Sequence, residues 1–407
     1  MNASQPTGSP DLPLAGLRIL EIGHYIAAPF AARVLADLGA EVIKVEPPVE
    51  GDPVRTWGAS RDGRTFWWSV HGRNKKCVTL NLKSEEGRRL LERLVAGCDA
   101  LVENLRPGQL AKLGFDDARL LAHRPGLVIC HVSGYGLTGP LAGRACFGAI
   151  GEALGGLRHL SNHAPGTTDL PPVRVGISIG DTLAGLYAAI AILAGLVSRH
   201  PGGHVADVAL TEAVLSVMEG MLPEYGATGV VRQPTGGRIS TAAPTNAFPA
   251  SDGGWVLIAA NSDALFRMLC GLMGRADLAD DPRFVDNPSR CRNVDALEEE
   301  ISAWTRLHDS RTLERWLAEA DIPSSRVYDA ADIAEDEQYK AREMVQWVDD
   351  AAFGKVLHPG AVPSFGPGTR RVRWPGPAVG AHNADVYGGL LGLDARALAD
   401  LAERKVI

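Results

Sequence analysis

No C-x-x-C pair occurs among the six cysteines, Cys77, Cys98, Cys130, Cys146, Cys270 and Cys291, and none is paired in spacing with a histidine. In a chain of 407 residues they read as reduced, mostly core thiols rather than a disulfide framework. The eleven histidines form no H-E-x-x-H or comparable cluster, so no metal is expected. No run of five like charges occurs, and the formal net charge is −7 with a pI near 5.9. That balance argues against a nucleic-acid partner and against a basic membrane-surface protein. The longest apolar stretch, Leu183 to Val197, falls short of the roughly 18 residues of a membrane span. It is rich in Ala and Gly and reads as a buried helix. The start, Met1 to Asp11, is polar and lacks the basic and apolar regions of a signal peptide. The expected compartment is the cytoplasm.

What is present is a soluble, globular mix: 45% hydrophobic and 22% charged residues, which excludes a fully disordered chain. Length divided by about 150 suggests two or three domains. Leu17 to Ile22 reads as a strand ending at Gly23, Pro29 to Leu38 as a helix stopped by Gly39, and Glu41 to Val45 as a second strand. Such a βαβ unit makes its strands parallel. Val78 to Leu80 continues the sheet, Glu85 to Ala96 is a helix with Ser84 as N-cap, and Ala100 to Val102 and Leu127 to Val132 are further strands. This is an α/β, Rossmann-like large domain around a parallel sheet. Ala149 to Leu157 looks helical, Ser161 to Pro172 is a turn-rich loop, and Val173 to Ile179 reads as a strand leading into the apolar helix from Asp181. Val205 to Leu210 is a strand, and Thr211 can cap the helix that follows.

Pro223 to Ala243 reads as a crossing linker. A β-hairpin is expected at Asn246–Ala250 and Trp255–Ala260 across Asp252-Gly253-Gly254. Helices follow at about 264–273, 294–307 and 312–320. The organisation expected is a large domain over 1–215, a smaller α+β domain over 225–330, and a tail over 335–407 that completes the large domain and ends in a helix near Ala395–Arg404.

The first βα turn, Gly23-His24-Tyr25-Ile26-Ala27-Ala28, is not G-x-G-x-x-G, although Glu46 stands where a ribose-binding acid would. A nicotinamide or flavin is therefore not expected, while a nucleotide at the sheet's carboxyl edge is still open. Two other segments carry more: Gly134-Tyr135-Gly136-Leu137-Thr138-Gly139-Pro140 with Arg144-Ala145-Cys146-Phe147-Gly148, and Val175-Gly176-Ile177-Ser178-Ile179-Gly180-Asp181. In the second, an acid stands at the start of an apolar helix, where partial positive charge and unpaired N–H groups keep it ionised. Those are the needs of a carboxylate nucleophile; spacing alone favours a simple N-cap.

Taken in order, "LAGLRILEIGHYIAAPFAARVLADLGAEVIKVEPP", "GRNKKCVTLNLKSEEGRRLLERLVAGCDALVENLRPGQLAKLGF", "VSGYGLTGPLAGRACFGAIGEALGGL", "VGISIGDTLAGL", "NAFPASDGGWVLIA", "DPRF" and "IPSSRVYDAADIAEDEQ" resemble the family III CoA-transferases, over nearly the whole chain. That family includes formyl-CoA and carnitine CoA-transferases and the related α-methylacyl-CoA racemases. The resemblance implies an interlocked, ring-shaped homodimer and CoA transfer between an acyl-CoA and a free carboxylic acid. It puts the nucleophile at Asp181, which forms an aspartyl anhydride and then an aspartyl-CoA thioester. Backbone N–H groups near Gly180 would hold the oxyanion. CoA contacts carry over to Tyr25, Lys75, Asn104 and Leu105. The basic cluster that phosphates require is sought in Arg73, Lys75, Lys76 and Arg106. Two family contacts do not carry over, because Pro47 and Ser133 stand in place of basic residues. No tightly bound cofactor is implied, since coenzyme A is part of the substrate.

The racemase branch has a histidine where this chain has Phe147, which cannot move a proton; His131 and His159 lie nearby in sequence. Glu152 is either an acid–base helper or a structural hydrogen bonder. A glycine-rich substrate loop has its nearest counterpart in Gly236-Gly237-Arg238. Arg144, Arg174 and Arg238 are candidates for a second substrate carboxylate, because arginine binds carboxylates bidentately. The segment texture is closest to relatives acting on short dicarboxylates, with succinyl-CoA as donor. The alternatives are an acyl-CoA α-carbon isomerase and a non-catalytic CoA-binding protein; the intact Gly180-Asp181 argues against the latter.

Overall fold

The computed structural model describes residues 12–407, so the reading of Met1 to Asp11 lies outside the described residues. The chain divides into two compact units. One comprises the chain to Leu157, Val175–Leu222 and Asp336–Ile407; the other comprises Arg158–Arg174 and Pro223–Glu335. The Val175–Leu222 segment of the larger unit thus runs past the expected 215, and Arg158–Arg174 falls with the smaller unit.

The larger unit is built on six strands: β1 Arg18–Ile22, β2 Glu41–Glu46, β3 Lys75–Thr79, β4 Ala100–Glu103, β5 Val128–Ser133 and β6 His204–Ala209. Their order is β3-β2-β1-β4-β5-β6, and every neighbouring pair is parallel. Strands buried on both faces read as near-continuous apolar runs, and all of β4 and β5 is buried. The order reverses between β1 and β4, and ligands of such sheets bind at the carboxyl ends beside that reversal.

Four helices place the site. α1 is Ala27–Asp37 and α2 is Glu85–Ala96, whose first turn is capped by Ser84 Oγ accepting from Gly87 N at 3.0 Å. α3 is Gly148–Leu154, and α4 is Ile179–Ser198. α1 and α4 meet through small residues: a Cβ at Gly185 would lie 2.7 Å from the Ala27 carbonyl oxygen. At 20 residues and a mean hydropathy of 1.7, α4 is long and apolar enough to cross a membrane. That corrects the shorter stretch read from the sequence. Ala184, Gly185, Ala188 and Ile192 are nevertheless buried in the core of this unit. The strand expected at Val173–Ile179 is absent. Val173, Val175 and Ile177 alternate as a strand would, yet they are exposed and join no strand among the described residues.

After the smaller unit, the chain returns in an antiparallel hairpin, Val345–Asp350 with Gly354–Pro359. The tail then covers the edge strand β3, which would otherwise expose unpaired backbone. Asn383 Oδ1 accepts from Thr79 N at 2.9 Å, Tyr387 Oη donates to Thr79 O at 2.8 Å, and Trp374 Nε1 donates to Lys75 O at 3.0 Å.

The smaller unit holds a three-stranded antiparallel sheet in the order Ser324–Arg326, Trp255–Ala259, Thr245–Pro249. Helices Asp263–Leu272, Val294–Thr305 and Ser310–Glu319 pack their apolar stripes on it around Phe248, Ile258, Leu269 and Leu313. The segment read as a linker begins with a helix, Met221–Thr228.

Charged side chains in the sheet of the larger unit are paired internally. Lys44 Nζ lies 2.6 Å from Glu21 Oε1 and 2.7 Å from Asp52 Oδ2, and Lys75 Nζ lies 2.7 Å from Glu21 Oε2, all with fully buried side chains. Lys75 also donates to the Pro29 carbonyl at 2.7 Å. Burial works against the Lys44 ammonium, yet Asp52, Glu21 and Glu46 together hold its pKa above the ordinary lysine value. Arg73 is buried as well, its guanidinium 2.6 Å from Asp37 Oδ2. On β5, His131 Nδ1 lies 2.5 Å from Glu103 and Nε2 lies 2.9 Å from Asp117.

Removing one member of a buried ion pair leaves an uncompensated charge. Lys75→Ala should therefore cost about 3–5 kcal/mol of stability, read as a lowered urea midpoint; a loss below about 1 kcal/mol would show that Glu21 does not depend on it. His131 makes the second prediction. Burial opposes its charge, but Glu103 and then Asp117 hold its pKa above the ordinary 6.5. The stability it supplies is complete below the unfolded-state value and fades as pH rises through the folded-state value. Between about pH 6 and pH 9 the wild type should lose stability that His131→Gln does not lose. Parallel unfolding curves for the two proteins over that range would contradict a charged His131.

Candidate active site

Asp181 is the third residue of α4, not its cap; the cap position is Ser178, whose side chain makes no capping bond. The first turn of a helix has orphan N–H groups and a partial positive charge. Half-buried there, Asp181 meets the start of α3. A Cβ at Gly148 would fall 2.0 Å from Asp181 Oδ2, and a Cβ at Gly180 would fall 2.9 Å from the Gly148 carbonyl oxygen. Two glycines thus let two helix starts close on one carboxylate. Gly180 acts here by what it lacks. Glu152 is fully buried behind this contact, with its Cγ 3.3 Å from where a Gly180 Cβ would stand.

Asp181 opens into a cleft of about 400 Å³ lined also by His24, Tyr25, Asn104, Leu105, Arg106, Arg144, Cys146 and Phe147. A neighbouring cleft of about 590 Å³ lies at the carboxyl ends of β1, β2 and β3, and shares His24, Leu105 and Gln109 with the first. Its rim carries exposed Lys83 and Lys405. A larger cavity of about 900 Å³, around Pro13, Arg124 and His200, lies at the amino ends of the strands, away from Asp181.

The turn that follows β1 forms one wall. Asn104 is committed to it: Asn104 Oδ1 accepts from His24 N at 2.8 Å and Asn104 Nδ2 donates to His24 O at 2.9 Å. Tyr25 has φ of +62°, and its ring lies 4.7 Å from Trp57 and edge-on to Phe147 at 6.3 Å. Leu105 is held by its N–H, which donates to Glu103 Oε2 at 2.6 Å. Burial, and then Lys44, lower the pKa of His24 below its ordinary value. Arg106 and Arg144 are exposed in the cleft and have no side-chain partner among the described residues.

Of the residues expected in the site, Asp181, Tyr25, Asn104, Leu105, Arg106 and Arg144 come together. Arg73 and Lys75 do not: both are buried and spent on Asp37 and Glu21. Lys76 is paired with Glu41 and Asp385. Arg174, Gly236, Gly237 and Arg238 belong to the smaller unit, where Arg238 is bound to Asp295 and Glu298, each at 2.7 Å. Neither His131 nor His159 lines the cleft beside Phe147. His131 is held between Glu103 and Asp117, and His159, in the smaller unit, bonds the Arg232 carbonyl.

Sequence reasoning missed Lys83, Lys405, Gln109 and Cys146. Cys146 was grouped with core thiols, although Gly134 gives it room in the cleft, where a Cβ at Gly134 would lie 2.1 Å from Cys146 Cβ. Only its place shortly after a glycine-proline turn and next to Phe147 could have flagged it. Among the described residues, no group of three His, Cys, Asp or Glu side chains is placed to hold a metal ion.

Comparison with known proteins identifies the family. The model of CoA-transferase family III matches residues 14–383. Succinyl-CoA--D-citramalate CoA-transferase of Chloroflexus aurantiacus is 43% identical over 401 residues, covering 98% of this chain and 99% of that protein. Succinyl-CoA:glutarate CoA-transferase of Mus musculus is 33% identical over 400 residues, covering 96% and 89%. A crystal structure of a CAIB/BAIF family protein from Brucella suis superimposes with a TM-score of 0.83 at 32% identity, covering 93% of this chain and 99% of that one. The chain is a member of CoA-transferase family III and acts as a CoA-transferase.

Proposed function

We propose that this enzyme moves CoA from succinyl-CoA to a short dicarboxylic acid, with Asp181 as the covalent nucleophile. The observation that carries the reading is the Asp181 carboxylate, closed on by two glycines and facing a cleft that holds two unpartnered arginines. Relatives named for citramalate, malate and glutarate all use succinyl-CoA and a dicarboxylate, which supports the same class here. The phosphate-bearing end of CoA fits the second cleft, where Lys83 and Lys405 replace the basic cluster that Arg73 and Lys75 cannot supply. The thioester arm then passes His24, Leu105 and Gln109 to reach Asp181.

The steps balance without an added acid or base. An Asp181 oxygen attacks the donor thioester carbonyl, the C–S bond breaks, and CoA thiolate leaves an acyl-aspartyl anhydride. The thiolate attacks the aspartyl carbonyl of that anhydride, releasing the donor acid and leaving an aspartyl-CoA thioester. The acceptor carboxylate attacks the same carbonyl, expels thiolate and forms a second anhydride. Thiolate then attacks the acceptor's carbonyl, giving the new acyl-CoA and free Asp181. Each tetrahedral intermediate carries an oxyanion, which backbone N–H groups near Gly180 can hold. No proton crosses the α-carbon, and Phe147 at the racemase position is consistent with that.

The exposed Leu186, Ile190 and Val197 on α4, with Phe147 and Ile150, support an interlocked homodimer that covers them. Six free cysteines, four of them buried, support a reducing, cytoplasmic setting. The cycle needs no resident cofactor.

The nucleophile is tested by Asp181→Asn and Gly148→Ala. Asn keeps the size of Asp and loses only its charge in the first helical turn, so stability should change by no more than about 1 kcal/mol, while transfer should fall at least about 10³-fold with loss of the covalent step. In Gly148→Ala the methyl group takes the place of Asp181 Oδ2; a misplacement of that order costs about 10²-fold. Wild type mixed with donor and hydroxylamine should be modified on the Asp181 peptide. An unmodified peptide together with an active Asn variant would sink the mechanism. Acceptor choice is tested by Arg144→Gln. Loss of a charge-assisted contact of about 1.5–3 kcal/mol should lower kcat/KM for dicarboxylate acceptors about 10–100-fold and leave monocarboxylates almost unchanged. Equal losses for both acceptor classes would remove Arg144 from that role.

A further inference from the structure

We propose that Asp52, anchored by Lys44, is a positioning residue for the reaction: it holds Tyr25 in a left-handed backbone conformation and thereby fixes the aromatic wall of the Asp181 cleft. This rests on the transferase reading for its functional consequence and on geometry alone for its structural one. A tyrosine at φ of +62° is strained, and such residues persist only where their surroundings over-determine them. Three consecutive residues of the turn are pinned from below. Lys44 Nζ donates to the Gly23 carbonyl at 2.9 Å, Asn104 takes both backbone groups of His24, and Asp52 Oδ1 accepts from Tyr25 N at 3.0 Å.

Asp52 is itself immobile. It is fully buried, and its second oxygen lies 2.7 Å from Lys44 Nζ, which Glu21 holds from the other side. Oδ1 also accepts from Val54 N at 2.9 Å, and the Asp52 N–H donates to Glu46 Oε1 at 2.8 Å. Neither Asp52 nor Lys44 lines the cleft, and the four-step transfer uses neither. What they reach is the Tyr25 backbone, and through it the ring that meets Trp57 and Phe147 beside Asp181. A glycine in place of Tyr25 would adopt this conformation without help; a tyrosine there supplies a wall and needs an anchor.

A double-mutant cycle in the full-length protein separates positioning from simple support. Asp52→Asn, Tyr25→Gly and the double variant are compared by donor KM, which a reduced folded fraction leaves unmoved, and by hydrogen exchange of the 23–26 amides. Asp52→Asn should raise the KM for succinyl-CoA about tenfold and speed exchange at Tyr25 about 100-fold, with the β4 and β5 amides unchanged. In the Tyr25→Gly background, where no strain remains to be held, the same substitution should move KM less than about twofold. An equal KM effect in both backgrounds, or unchanged exchange at Tyr25, would overturn the proposal. If Asp52→Asn alone does not fold, recovery of the fold in the double variant supports it and continued unfolding overturns it. A wild type that transfers no CoA would sink the transferase reading, while the exchange measurement still decides whether Asp52 positions the turn.

Discussion

The site depends on a place where no side chain can be. The Asp181 carboxylate occupies the volume that any Cβ at position 148 would need, and a Cβ at Gly180 would strike the Gly148 carbonyl. This contact brings the starts of α3 and α4 together at one anion. It also fixes where the carboxylate can point. A free aspartate at a helix start samples several rotamers; one wedged against a glycine face samples fewer, and that is the orientation a nucleophile needs. Glu152, fully buried behind the contact, extends the same logic: it sits with the support of Asp181 and not with the open cleft.

A second constraint comes from the sheet. Parallel sheets bury both faces, and charge inside them must be matched. Here Glu21 on β1, Lys44 on β2 and Lys75 on β3 form a chain of buried ion pairs across three adjacent strands. Replacing such groups by apolar ones is often neutral for stability, so stability alone does not explain them. Their position does. They lie beneath the turn after β1, and Lys44 bonds the Gly23 carbonyl directly. The network spends charge in the sheet to hold a cleft wall at its carboxyl edge.

Much of the fold was legible because the sheet and its helices obey simple periodicities. Ser84 was assigned as a cap and is one, and the strands at 100 and 128 were placed within a residue or two. The failures share a cause: a residue's type does not say which way it faces. Val173, Val175 and Ile177 alternate correctly for a strand but pair with no strand among the described residues. Lys75 and Arg73 looked like a phosphate-binding cluster because basic residues are mostly exposed; strand β3 begins at Lys75 and turns its side chain inward to Glu21. Lys83 and Lys405 were invisible for the opposite reason. They are 322 positions apart in sequence and meet at one cleft only because the tail returns across β3. Asp181 was found through several motifs in order, not through its own surroundings, which spacing alone could not separate from a cap.

The aromatic residues around Asp181 follow from the chemistry proposed for it. An acyl-aspartyl anhydride is open to water, which is more abundant than any acceptor acid, so a covalent route works only where water is kept out. Tyr25 and Phe147 line the cleft beside the carboxylate, and Trp57 packs against Tyr25. None of the three need exchange a proton or a charge with the substrate for this task. A histidine at position 147 would bring a proton carrier and its hydration to the same point. A phenylalanine at this position therefore brings no acid–base group and adds apolar cover. The same wall explains why a strained tyrosine is retained at the turn after β1: a glycine would relieve the backbone and leave the anhydride open on that side.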